Sequence, residues 1–160
     1  MASINLYLMT KKLFCCLLWA ALGATLAYAD STLFNSIPQD GTRLSLAGEW
    51  RFRYVAGGDA GKDETFQRPD HDLGGWSTIK APGHWELQGF AAPKYAGDLA
   101  EGLGLYRRTF RLSKPTDGGK VYLRFDGVLF GHEAWVNGRK VGAWNLGFNP
   151  VTYDVTDALL

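Results

Sequence analysis

Apolar and polar residues alternate along several short segments of the chain. In residues 49–54, aromatic side chains occupy the even positions and charged side chains occupy the odd ones. A period of two residues is typical of a β-strand with one buried face. Similar alternation, less regular in the first case, predicts further strands in residues 106–112, 121–125 and 151–155.

The strongest local signal is the dipeptide Asn137-Gly138, which lies between two strand-like runs, residues 134–136 and 139–141. Both residue types accept positive φ at the central positions of a two-residue turn, as a type I′ hairpin requires. We therefore predict a tight β-hairpin here.

Connectors rich in Gly and Asp separate the predicted strands, and we find no helical run of useful length after Ala29. Many short strands separated by turn clusters indicate an antiparallel sandwich or barrel. The connectors cover residues 56–62, 70–75, 96–104 and 115–119.

The first 29 residues have the pattern of a secretory signal peptide. Lys11 and Lys12 precede an apolar run, residues 13–27, which ends in the small-residue motif Ala27-Tyr28-Ala29. A transmembrane anchor is the competing interpretation, but the run falls short of the roughly 20 residues that span a bilayer. We predict cleavage after Ala29, followed by an extended arm at 30–42 and one domain at 43–160.

Cleavage would change the chemistry of the mature chain. Cys15 and Cys16 are the only cysteines of the full sequence, and both would leave with the signal peptide. The mature chain would therefore have no disulfide and no cysteine-based metal site. The mature chain is therefore expected in the periplasm or outside the cell, with no membrane attachment. Its near-neutral charge, without a long basic run, gives no footprint for nucleic acid. We expect no cofactor.

Four sequence blocks occur in an order and spacing that resemble one family. They are residues 46–52, residues 75–90, residues 104–110, and the group formed by 123–128, 135–138, 141–142 and 148–156. Together they resemble the N-terminal sugar-binding domain of family 2 glycoside hydrolases, which include β-galactosidases, β-glucuronidases and β-mannosidases. Residues 85–95 are most similar to the β-galactosidase branch.

The resemblance implies an all-β, antiparallel jelly-roll sandwich of the galactose-binding-like type. In the family, this domain packs against a catalytic (β/α)₈ barrel, and a further strand completes the sandwich after the position of Leu160. We therefore predict an accessory domain without its last strand or strands, whose partners are a β-glycoside or galactoside and the parent barrel. Two alternatives stay open: an independent carbohydrate-binding module, and a non-functional truncated remnant.

Catalytic residues are not predicted in this chain. A (β/α)₈ barrel needs about 250 residues, and glycoside hydrolysis needs two carboxylates placed across the scissile bond. Glu86, Glu101 and Glu133 lie in predicted strands or connectors, and we interpret them as solvated or turn-capping residues.

Candidate carbohydrate contacts follow from the resemblance, and they are Trp85, Gln88, Tyr95, Trp144 and Asn145. Trp85 is either a platform for a sugar ring or an aromatic residue that packs at an interface, and we favour packing. Two positions depart from the β-galactosidase pattern. Gly97 stands where that branch has a sugar-gripping Asn, and Leu146 stands where it has an Asp. Both expected polar side-chain contacts are therefore missing at these two positions.

The tripeptide Asp70-His71-Asp72 contains residue types that bind metals. Calcium sites in jelly rolls draw several oxygen ligands from different loops, whereas this run precedes Gly74-Gly75. We predict a polar turn and no metal site.

Overall fold

The computed structural model describes residues 2–11, 43–57, 65–93, 102–112, 118–129 and 131–160, and for residues 2–11 it describes the backbone. The chain divides into two compact units, Met1–Phe14 with Ala47–Leu160, and Cys15–Leu46. The first unit contains all the strands described below.

Eight strands and two short 3-10 turns make up the regular structure of the described residues. The strands are β1 (Ala2–Lys11), β2 (Gly48–Ala56), β3 (Ser77–Ala81), β4 (Gly102–Leu112), β5 (Tyr122–Phe125), β6 (Gly131–Val136), β7 (Arg139–Trp144) and β8 (Val151–Asp154). The 3-10 turns are Glu86–Gln88 and Thr156–Ala158.

The strands form two antiparallel sheets. The larger sheet has the order β3-β2-β4-β1-β6-β7, and the smaller one pairs β5 with β8. Every pair of neighbouring strands is antiparallel. The prediction of an all-β, antiparallel sandwich is confirmed.

Strand β2 follows the alternation seen in the sequence. Trp50 and Phe52 are 7% and 0% exposed, whereas the charged residues that alternate with them, Glu49, Arg51 and Arg53, are exposed. The predicted hairpin is also present, because Asn137 and Gly138 adopt φ values of 52° and 84° between β6 and β7. The register of this hairpin shifts between Ala134 and Trp135, where β7 contributes one extra residue.

Strand β4 is deeply packed in the sheet, since its first six residues are all buried. On one face, Leu103 and Leu105 are each 1% exposed. They belong to a buried cluster with Phe66, Trp76 and Trp135. This face of the sheet is therefore covered by the connector between β2 and β3.

The opposite face of β4 carries small residues that make room for large aromatic rings. A Cβ atom at Gly104 would overlap the ring of Trp85, and one at Gly102 would overlap Tyr54. Trp85 also lies next to Phe52 and Tyr54, with ring centroids 6.2 and 5.7 Å away. Glycine at these two positions lets the segment after β3 pack directly on the sheet.

Two arginine side chains, one buried and one exposed, hold the β2–β3 connector on the sheet. Arg107 is 6% exposed and donates hydrogen bonds to the carbonyl oxygens of His71 and Pro69, at 3.1 and 2.6 Å. Arg51 donates to the carbonyl oxygen of Leu73 at 3.1 Å. Guanidinium groups supply several donors in a fixed plane, so one side chain satisfies several loop carbonyls.

The small sheet packs on the β6–β7 end of the large one. The ring of Phe125 lies 4.9 Å from that of His132, and Tyr153 occupies the space above Gly142. A Cβ atom at Gly142 would overlap the tyrosine ring. The contact between the two sheets therefore depends on a glycine in β7.

Two strands were not predicted from the sequence, β3 and β1. Strand β1 consists of residues that the sequence pattern assigns to the signal peptide, and it lies in the interior of the large sheet, between β4 and β6. The apolar run 13–27, the cleavage motif and the arm at 30–42 lie outside the described residues, so cleavage stays a prediction. No helix among the described residues is both long and apolar enough to cross a membrane.

We expect Gly104→Ala to lower the free energy of unfolding by about 1–3 kcal/mol, because the new methyl group would collide with the ring of Trp85. Urea denaturation of the full chain measures this change. Gly127→Ala is the matched control, since its Cβ would lie 3.7 Å from the nearest atom. Equal stability losses for the two variants would contradict the packing described here.

Candidate functional site

The structure separates the predicted site residues into two groups at opposite edges of the large sheet. Strand β3 is one edge of the large sheet, and Trp85 and Gln88 lie in the segment that follows it. Trp144 ends β7, the other edge strand, and Asn145 follows it. Tyr95 and Gly97 lie outside the described residues. The four candidates that the structure describes therefore lie in two separate groups, and their role in sugar binding stays a prediction.

The first group is engaged in packing and hydrogen bonding within the protein. Trp85 is 7% exposed and packed among the aromatic rings described above. The Gln88 amide donates to the carbonyl oxygen of Lys80 at 2.9 Å and accepts from the Lys80 N–H at 2.9 Å. Gln88 therefore extends the hydrogen bonding of β3. A sugar-binding role for either residue stays a prediction that these contacts disfavour.

Trp144 is half-buried and lies directly across from His132, its partner on β6. Residues paired in this way project to the same face, here the face that the small sheet covers. The indole Nε1 of Trp144 and the Nδ1 of His132 are both buried, and neither has a hydrogen-bond partner among the residues that the structure describes. Nε2 of His132 lies 3.0 Å from the hydroxyl oxygen of Tyr153.

Burial shifts the pKa values of both His132 and Tyr153. The ring of His132 is 3% exposed, and burial lowers its pKa below the ordinary value, because the charged imidazolium loses its hydration. Burial likewise raises the pKa of Tyr153 to about 12. Both shifts favour the neutral forms of these two side chains near pH 7.

Beyond Trp144 the chain enters an exposed loop, residues 145–150, here called the β7–β8 loop. Leu146 and Phe148 are 62% and 74% exposed, and Asn145 is exposed beside them. Phe148 has a φ of 67°, in the left-handed region that bulky residues rarely occupy. A conformation of this kind costs of order 1–3 kcal/mol and is common at binding sites.

Backbone contacts hold the β7–β8 loop in place. The Phe148 N–H donates to the carbonyl oxygen of Val128 at 2.9 Å. Gly147 lies so close to Leu129 that a Cβ atom there would overlap its carbonyl oxygen. The aromatic ring is therefore exposed on a backbone fixed by its neighbour, the β5–β6 loop.

Phe148 is the residue that the sequence analysis missed. The available signal was a large aromatic between Gly147 and the turn formers Asn149-Pro150. An aromatic in such a turn has no strand face on which to be buried. That observation alone favours exposure.

The tripeptide Asp70-His71-Asp72 forms a turn in which each side chain has a separate partner. Asp72 accepts a hydrogen bond from the Gly74 N–H at 2.9 Å, and Asp70 forms a 3.2 Å ion pair with Arg68. Nδ1 of His71 lies 3.3 Å from the Thr65 hydroxyl. Within the described residues, no three His, Cys, Asp or Glu side chains lie close enough together to hold a metal ion.

The three glutamates considered for catalysis differ in their positions. Glu133 lies on β6 and forms a 2.9 Å ion pair with Lys140 of β7. Glu86 begins the 3-10 turn after β3, at the other end of the sheet. Glu101 lies outside the described residues. Glu86 and Glu133 are therefore not a catalytic pair in this structure.

Two packed antiparallel sheets with an exposed aromatic loop define a β-sandwich domain, and comparison with known proteins assigns its family. The profile of the family described as "Glycosyl hydrolases family 2, sugar binding domain" matches residues 44–160. The chain belongs to this family.

Relatives and a solved structure agree with the assignment. A β-galactosidase of Priestia megaterium is 30% identical over 72% of this chain, and one of Streptococcus thermophilus is 27% identical over 84%. A Lactobacillus rhamnosus β-glucuronidase structure superposes with a TM-score of 0.54 at 25% identity, covering 72% of this chain and 18% of the other. The chain spans only 13% and 15% of the lengths of the two β-galactosidases.

We expect the protein to lose stability as the pH falls below about 6.5, the ordinary pKa of histidine. Below this pH, the histidine of the unfolded chain takes up a proton, whereas native His132 resists protonation. The contribution of neutral His132 to the free energy of unfolding is therefore fully present above this pH and is lost on acidification. His132→Gln should reduce this loss, measured by urea unfolding at pH 7.5 and 5.5. The exposed His84→Gln is the control, and identical acid sensitivity in all three proteins would refute the assignment.

Proposed function

We propose that this chain is the accessory, non-catalytic sugar-binding domain of a secreted β-galactosidase-like glycosidase of family 2. The observation that carries the proposal is the exposed Phe148 ring on a fixed loop, in a domain whose family is described by sugar binding. An aromatic face suits the apolar C–H surface of a pyranose, and nearby amides suit its hydroxyl groups.

The β7–β8 loop offers both kinds of group. Phe148 supplies the aromatic face, while Asn145 and Asn149 supply exposed amides. Leu146, at the position where the resemblance expects an acidic sugar contact, is exposed and apolar. A carboxylate accepts hydrogen bonds from sugar hydroxyl groups, and leucine does not. We infer that stacking, rather than charge-assisted hydrogen bonding, dominates the contact.

The catalytic part of the proposal rests on length and geometry. Several relatives are named β-galactosidases, and the chain corresponds to a small part of each. Of the glutamates considered above, Glu133 lies on β6 and Glu86 lies in the 3-10 turn after β3, so the two lack the facing arrangement that glycoside hydrolysis requires. In an intact enzyme, the carboxylates would belong to a (β/α)₈ barrel, and this domain would shape the entrance to it.

Export is a further part of the proposal. The basic residues Lys11 and Lys12, the apolar run 13–27 and the Ala27-Tyr28-Ala29 motif support cleavage after Ala29 and a periplasmic or secreted location. Edman sequencing of protein recovered from the periplasm or medium tests this directly. A mature N-terminus at Asp30 is the expected result.

We expect the chain to bind β-galactosides, and Phe148→Ala to weaken binding about 2- to 10-fold, the effect of losing roughly 0.5–1.5 kcal/mol of aromatic contact. Isothermal titration with galactosides, glucuronides and mannosides measures this. Leu87→Ala is the matched control, because Leu87 is also 74% exposed but lies on another segment. An absence of heat with all three sugars would exclude sugar binding by this domain.

The chain alone should release no product from a chromogenic β-galactoside. The control is an active family 2 β-galactosidase assayed under the same conditions. Turnover that persists through purification, and disappears in a Glu86→Gln or Glu133→Gln variant, would show that the domain carries its own catalytic carboxylate.

A further inference from the structure

The β2–β3 connector covers only part of the sheet face that carries Leu103 and Leu105. Beside Leu73 of the connector lies a groove with a volume of about 420 Å³, lined by residues of β2, β3 and β4. Pockets of this size hold small ligands. The groove is separate from the β7–β8 loop, because β7 forms the far edge of the sheet.

Three residues that line the groove form a row across neighbouring strands. Thr78 of β3 lies opposite Arg51 of β2, and Arg51 lies opposite Arg107 of β4. Residues paired in this way project to the same face of a sheet. Since Arg107 is two residues from Leu105, this face is the one that the connector partly covers. Two guanidinium groups therefore lie side by side here, and they give the groove a positive charge.

The connector holds Arg51 through one nitrogen of its guanidinium group. Nη2 donates to the carbonyl oxygens of Leu73 and Trp76, at 3.1 and 2.5 Å. Nη1 and Nε have no hydrogen-bond partner in the part of the chain that the structure describes, although the side chain is exposed. Arg51 is therefore a fixed cation with N–H donors left for a ligand. A carboxylate is a strong acceptor for such donors, because the hydrogen bonds are charge-assisted.

A second charged group in the groove restricts the kind of anion that fits. Glu49 also lines the groove, and it lies on the same face as Arg51, roughly 7 Å further along the strand. It is exposed and forms no ion pair within the described residues. A simple anion is repelled by this carboxylate, whereas a ligand with hydroxyl groups can donate hydrogen bonds to it.

We propose that this groove binds a sugar acid, a ligand in which a carboxylate lies close to several hydroxyl groups. Arg51 donates hydrogen bonds to the ligand carboxylate, and Glu49 accepts hydrogen bonds from the ligand hydroxyl groups. The hydroxyl of Thr78 contacts either kind of group, because it can both donate and accept. This site is distinct from the aromatic contact at Phe148, and the inference does not depend on that contact.

The test is an NMR titration of the full ¹⁵N-labelled chain with sodium galacturonate at constant ionic strength. Galactose has the hydroxyl groups without the carboxylate, and sodium acetate has the carboxylate without the hydroxyl groups. At the amide signals of Arg51 and Thr78, we expect galacturonate to bind about tenfold more tightly than either comparison ligand. Equal affinities for galacturonate and either comparison ligand, or no shift of these signals, would overturn the proposal.

Arg51→Lys keeps the positive charge, but its single nitrogen would have to serve both the connector and the ligand. We expect galacturonate binding to weaken about tenfold in this variant. Arg124→Lys is the matched control, because Arg124 is an exposed arginine of β5 outside the groove. It should bind galacturonate as the wild type does. Equal affinity in all three proteins would count against the site.

Glu49→Ala covers the case in which the lysine variant loosens the connector, because no ion pair with a described residue is lost. Removing this carboxylate deletes an acceptor for hydroxyl groups and a source of repulsion for anions. We expect the preference for galacturonate over acetate to fall about fivefold, while acetate binding is retained or strengthened. An unchanged preference would show that Glu49 does not select the ligand as proposed.

Phe148→Ala separates this site from the sugar contact at the β7–β8 loop. The variant should titrate with galacturonate at Arg51 and Thr78 as the wild type does, even where its binding of neutral galactosides is weakened. Loss of galacturonate binding in Phe148→Ala, with no effect of Arg51→Lys, would place the sugar acid at the β7–β8 loop and refute the groove.

Discussion

The structure depends on the burial of β4 on both faces. Leu103 and Leu105 contact one aromatic cluster, and the glycines between and before them admit Tyr54 and Trp85 on the other side. A strand buried in this way must have all its backbone groups paired, since no water reaches them. Its neighbours β2 and β1 meet that requirement. The arginines on the same sheet then hold residues 69–76 of the β2–β3 connector over the first face, so Phe66 and Trp76 become part of the core.

The same packing explains why the exposed groups that could bind a neutral sugar lie at one edge of the sheet. At the β3 edge, Gln88 uses its amide to continue the strand hydrogen bonding, and Trp85 is enclosed. At the β7 edge, the small sheet covers His132 and Trp144 but not the loop that follows. The β7–β8 loop therefore combines a rigid base with exposed apolar and amide groups. These are the properties of a surface that recognises a neutral, hydroxyl-rich ligand.

Sequence reasoning succeeded where the signal was local. Strand β2 and the Asn137-Gly138 hairpin depend on alternation and on turn chemistry, which can be read within a few residues. Strand β3 was missed because only Ile79 is buried among its five residues, so no alternation is visible. Strand β1 was missed because the apolar run after it dominated the interpretation. The packing of Trp85 on Gly104 and the left-handed backbone of Phe148 are tertiary features, and no spacing within the chain specifies them.

The direction of the strands has one more consequence. Because β1 is antiparallel to both β4 and β6, those two strands run the same way. Neighbouring strands lie about 4.8 Å apart, so the two are separated by roughly twice that distance. Bringing them together would require a large lateral movement and would create a parallel ladder, with slanted hydrogen bonds, inside an otherwise antiparallel sheet. Direct pairing of β4 with β6 is therefore unfavourable, and in this structure β1 supplies the strand that lies between them.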